Sequence, residues 1–154
     1  MELDFDFATD LEAALNADPS LGTHAHPETR WTALHHATKA GRGPLVQMLL
    51  ARGASVNART WHDSSAMHLA ACNGCETAAK CLIACGCDLE IRDNKGNTAL
   101  IRAAQHGHVG VATLLVRAGA AVYGTNADGQ TAADRAREGK HAAILELLAE
   151  ASKG

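Results

Sequence analysis

The sequence predicts an all-α array of stacked helix pairs, on three observations. The stretch Thr32-Ala33-Leu34-His35-His36-Ala37 returns every 33 residues, as Ser65 to Ala70, Thr98 to Ala103 and Thr131 to Ala136. The apolar residues, 47% of the chain, are dominated by the helix formers Ala and Leu, without strand-favouring runs of Val, Ile and Tyr. Aromatic residues make up only 3%, too few for a deep centre and suited to a thin core. A fixed period of this size belongs to units that cannot bury a core singly and are stable only when stacked.

The elements follow in order. Residues 1 to 7 alternate apolar and acidic side chains, as a short extended arm would. From Thr9 or Asp10, either able to N-cap, Leu11, Ala14 and Leu15 give an amphipathic helix that Asp18-Pro19 ends. Shifted by one period it falls on a second helix, so it reads as a degenerate N-terminal cap of residues 1–26. The first full unit spans 27–59. Thr32 N-caps its first helix, Leu34 and Ala37 form the apolar stripe, and Gly41 ends it in a left-handed conformation. Pro44 suits the first turn of a second helix with Leu45, Met48 and Leu49 on its buried face, ended by Gly53. Unit 60–92 repeats these roles with Gly74, the stripe Ala78, Cys81 and Leu82, and Gly86. Unit 93–125 uses Gly107, the stripe Val111, Leu114 and Leu115, and Gly119. Unit 126–154 has Ile144, Leu147 and Leu148 but carries Asp134, Arg135, Arg137, Glu138 and Lys140, a polar end fit to face water.

Charge and composition narrow the function. Charged residues interrupt every candidate run of 18 apolar residues, which excludes a spanning helix, and the acidic start is unlike a secretory signal. The expectation is a cytoplasmic protein, a monomer on its own, with reduced thiols, because all five cysteines fall within one unit. Residues 1–26 hold six acidic groups and no Lys or Arg, leaving a net charge of +3 on the remainder. That balance and the scarcity of aromatics argue against nucleic acid.

Thr-Ala-Leu-His-x-Ala, a Gly, an apolar triplet and Gly-Ala before the next unit, at 33 residues, resemble the ankyrin repeat over residues 27–154. The resemblance implies a solenoid of helix-turn-helix units with β-hairpin fingers between them, the fingers and first helices lining a concave groove. It also implies that the imidazoles of His35 and His68 tie the helix start to the finger. Ile101 and Asp134 occupy the same slot later. Arg30 and Asp63 stand where the family has a finger glycine, so the first finger is expected to be reshaped.

No nucleophile–base pair is recognisable, and the chain reads as non-catalytic, without a cofactor. The competing expectation is a metal-binding or redox role for Cys72, Cys75, Cys81, Cys85 and Cys87. Their places in the repeat spread these thiols over different faces. The groove is the stronger signal. Carrying the family's partner-reading positions onto this chain gives Trp31, Lys39, Arg59, Trp61, His62, Asn73, Arg92, Asn94, Lys95, Asn97, Gln105 and His106. Both tryptophans are among them, and Trp and Arg are enriched at binding hot spots. Each Trp can alternatively pack across its own finger. With Lys39, Arg59, Arg92 and Lys95 beside them, the expected ligand is an acidic or mixed-charge segment of another protein on fingers one to three. The acidic arm, residues 2–7, is expected to fold over that stripe.

Overall fold

The computed structural model describes residues 24–153, together with Ala13 and Ala17, which are helical and exposed. The acidic arm and the rest of the capping helix lie outside the described residues. Four helix pairs follow: α1 (Ala33–Lys39) with α2 (Gly43–Ala51), α3 (Ala66–Asn73) with α4 (Glu76–Ala84), α5 (Ala99–His106) with α6 (Val109–Arg117), and α7 (Ala132–Glu138) with α8 (Ala142–Ala151). The odd-numbered helices pack on one another in one row and the even-numbered helices in a second, each pair also packing internally. This is the all-α solenoid that the period predicts.

Burial explains the period. Ala37, Ala70, Ala103 and Ala136 let neighbouring helices approach closely. Leu49, Leu82, Leu115 and Leu148 fill the space between rows, and all eight side chains are at most 3% exposed. The second-helix stripe differs from expectation by one position. Val46, Ala79 and Ala112 are buried at the side of Leu45, Ala78 and Val111, whereas Met48, Cys81 and Leu114 lie at the edge of the core. A helix gripped by a neighbour on each side buries a wider arc than a single-faced stripe anticipates. In the last unit the faces turned toward a following unit lose their cover: Ala133 and Leu145 are half-buried, and Arg137 stands where Thr38, Ala71 and Ala104 are buried.

The first helices start with a reciprocal cap. Thr32 N–H donates to His35 Nδ1 (3.0 Å), and His35 N–H donates to Thr32 Oγ1 (3.4 Å). Ser65 N–H and Oγ meet His68 Nδ1 in the same way at 3.2 and 2.9 Å. Histidine thus does what Glu or Gln does in a capping box, and in the fourth unit Asp134 does it for Thr131. A backbone N–H on Nδ1 fixes the proton on Nε2, which donates to Ala58 O (3.0 Å) from His35 and to Asn97 O (2.8 Å) from His68.

Glycine is required where units meet. Gly74 has φ 71° and Gly107 φ 75°, and a Cβ on either would come within 2.6 Å of the next unit's imidazole, His108 or His141. Those rings occupy the gap because Nε2–H of His108 donates to Cys72 O (2.9 Å) and that of His141 to Gln105 O (3.2 Å). Cys75 stands in this slot one unit earlier, with its Sγ 3.6 Å from the Cβ position of Gly41. Lys140 holds the same backbone position in the last unit with φ 59°.

Three outcomes follow from these contacts. Leu100, 1% exposed, sits between neighbouring first helices, and Leu100→Ala should lower unfolding free energy by about 2–5 kcal/mol in urea titration. Lys140→Gly should raise it by about 1 kcal/mol by relieving a left-handed lysine, seen as a higher denaturation midpoint. Burial holds the pKa of His35 and His68 below the ordinary 6.5, opposed by the hydrogen bonds their rings donate to backbone carbonyls. The unfolded chain therefore takes up protons first. Stability is complete above about pH 6.5 and falls below it by up to about 1.4 kcal/mol per pH unit per histidine. Melting temperature should drop between about pH 7.5 and about 5.5, a window above the carboxylates; an unchanged value would contradict the neutral tautomer.

Candidate functional site

The fingers are turns that project from the joints between units, the first from within 24–32. Among the described residues the only strand-like pairing is an isolated bridge, Ala25 to Thr32. In fingers two to four the N–H of Thr60, Asp93 and Asn126 donates to the carbonyl four residues on, at 2.9 to 3.0 Å. The tip positions Asp63, Gly96 and Gly129 are left-handed. Finger one is reshaped, as expected, but for a different reason. Arg30 adopts φ 58°, so the tip conformation survives. Pro27, in the slot of Thr60, Asp93 and Asn126, has no N–H to give, and His26 N–H bonds Trp31 O instead (2.8 Å), widening the turn by one residue.

Neighbouring fingers are joined through their backbones. Trp61 N–H donates to Thr29 O (2.9 Å), Asn94 N–H to His62 O (3.0 Å) and Ala127 N–H to Lys95 O (3.1 Å). Two arginines one period apart strap the outside of this ladder: Arg59 Nη2 reaches Arg92 O (2.5 Å), and Arg92 Nη1 reaches Thr125 O. Arg59 also faces Asp63 at 3.8 Å. Both guanidiniums therefore have structural duties besides any role in the groove.

The two tryptophans differ. Trp31 is half-buried against His36, with ring centroids 4.9 Å apart, and the Lys39 ammonium lies 5.5 Å from its ring centroid. Such a contact holds the lysine stem down on the indole. Trp61 is 70% exposed, and its ring neighbour is the adjacent His62 at 5.2 Å. Trp31 thus packs on the first helix of its own unit rather than across its finger, whereas Trp61 remains open.

Of the remaining positions, His62, Asn73, Asn94, Lys95 and His106 are exposed and Gln105 is half-buried. Asn73 Nδ2 donates to Leu69 O, back along its own helix (2.9 Å). Asn97 is placed differently: it is 4% exposed, its carbonyl accepts from His68, and its Oδ1 accepts from Asn126 Nδ2 (3.1 Å). Its side chain is joinery between fingers three and four.

Arg102 was not among the expected groove residues. It is half-buried and gives Nε and Nη2 to Asp93 Oδ2 at 2.8 and 2.5 Å. Burial opposes the Asp93 charge, but this pair and the N–H groups of Asn97 and Lys95 outweigh it and hold the carboxyl below its usual range. The signal that identifies Arg102 is its spacing, 33 residues before Arg135 and 33 after the groove-side Leu69.

The thiols do not converge. The described residues contain no group of three or more Cys, His, Asp or Glu able to hold a metal ion. Burial raises the pKa of Cys72 and Cys75, and burial with the Asp88 charge pushes Cys87 up to about 11. These groups stay protonated at neutral pH and are poor nucleophiles, so the metal or redox alternative finds no support. Among the described residues no helix is long and apolar enough to cross a membrane.

Comparison with curated proteins gives no match. Comparison with family models gives two: residues 29–61 match the model described as "Ankyrin repeat", and residues 67–154 match "Ankyrin repeats (3 copies)". The second alone spans more than half of the chain, in the same register as the helix pairs and fingers, and the protein belongs to the ankyrin-repeat family, whose members are generally protein–protein interaction modules.

Proposed function

We propose that the chain is a non-catalytic adaptor that holds an acidic or mixed-charge segment of a partner protein across fingers one to three. The observation that carries this reading is Trp61, a large indole 70% exposed at a finger tip whose backbone is fixed to its neighbours on both sides. An exposed ring on a rigid support loses little conformational freedom when it is covered. Lys39, at the end of α1, and Lys95, on finger three, stand exposed on either side and set the sign of the ligand charge. Five cysteines without a disulfide favour a reducing compartment, consistent with the cytoplasm. On this reading the protein is a monomer until it meets its partner.

The test is affinity capture from native lysate, with the recovered partner titrated against variants. Trp61→Ala should weaken binding by about 2 kcal/mol or more, and Trp31→Ala by less, because Trp31 is already covered by its own unit. Equal affinity for wild type and the Trp31/Trp61 double alanine variant would remove the proposal.

A further inference from the structure

We infer that the cleft between fingers two and three receives a single carboxylate side chain, Glu or Asp, from the segment bound in the groove. This rests on the interaction reading above and specifies the group recognised and the place. The cleft has a volume of about 380 Å³, with Leu69 and Cys72 from α3 and His62, Asn94, Lys95 and Arg102 around them.

Among the described residues, the charge in the cleft is incompletely met. Asp93, 5% exposed, is committed: it accepts Nε and Nη2 of Arg102 and the backbone N–H groups of Lys95 and Asn97, the latter two at 2.9 Å. This clamps the Arg102 plane and cancels one positive charge. Arg102 Nη1 is left with a long bond to Gln105 Oε1 (3.4 Å), and Lys95 is exposed beside the cleft. One positive charge in excess suits one carboxylate better than a dianionic phosphate.

The next unit supplies the comparison. Arg135 is the counterpart of Arg102, and Glu138 the counterpart of Gln105, one period on. There Nη1 of the arginine is taken by the chain's own carboxylate, Glu138 Oε2, at 2.6 Å. The carboxylate has changed place rather than number, because Asn126 stands in the Asp93 slot and Glu138 in the Gln105 slot, so each arginine is met by one carboxylate of its own chain. What sets the junction of units two and three apart is the exposed Lys95, whose counterpart one period on is Asp128.

The experiment uses the full chain and a displayed library of random peptides. Wild type should select peptides with an acidic residue at a fixed position, and changing that residue to its amide should cost roughly tenfold in Kd. Gln105→Glu, which supplies the internal carboxylate, and Lys95→Glu, on an exposed side chain, should each weaken the selected peptides by a similar factor. Unfolding midpoints measured alongside identify any variant that fails to fold. Phosphoserine in place of the selected acid should not restore affinity, and restoration would overturn the carboxylate assignment. Peptides that lose affinity with Trp61→Ala yet bind both charge variants as tightly as wild type would overturn the cleft and leave the interaction reading standing. Peptides indifferent to Trp61→Ala as well would overturn both.

Discussion

Burial between neighbouring units is the constraint on which the rest of the structure depends. No helix pair encloses its own apolar face. Leu34 in α1, Met67 in α3 and Leu100 in α5 are each 1% exposed only because another pair lies against them. The same demand restricts each first helix to alanine at two positions of the motif about one turn apart, Ala33 and Ala37 in the first copy, where a longer side chain would hold the rows apart. Groove, fingers and ends all follow from stacking units whose faces are interchangeable.

Polar groups at the joints are then obliged to find partners within the stack. His35 and His68 satisfy the helix start on one edge and a backbone carbonyl on the other, both in the neutral form. Where isoleucine occupies the slot, at Ile101, the joint between fingers three and four uses Asn126 and Asn97 instead. The joints are consequently unequal. His108 and His141 clasp units two to three and three to four, whereas Cys75 makes no comparable hydrogen bond between units one and two, so cohesion is lower at the start of the array.

The fold was legible in the sequence because it is written four times, and each copy corrects the reading of the others. What escaped was set by neighbours in space. The burial of Val46, Ala79 and Ala112 depends on a second flank of contact that a one-helix stripe does not contain. Pro27 acts through a missing N–H in a turn, while the eye is drawn to Arg30 at the tip, which simply adopts the needed conformation. In the groove, positions transferred from the family marked exposed Trp61 and Lys95 and also buried Asn97, because transfer carries a position and not the side chain's local bonds. Arg102 was missed since its slot holds side chains as unlike as His36, Leu69 and Arg135, so that only its place in the period, and no shared chemistry, marks it.

The finger ladder has one more consequence. Trp61, Asn94 and Ala127 are pinned to the finger before them by backbone bonds of nearly equal length, and only the missing side chain of Gly96 lets fingers three and four come this close, since a Cβ there would lie 2.6 Å from Ala127 N. The fingers act as a gauge with fixed graduations. On the function proposed above, a ligand would be measured by the interval between its contact residues, and one with suitable chemistry at the wrong interval would meet only one graduation at a time.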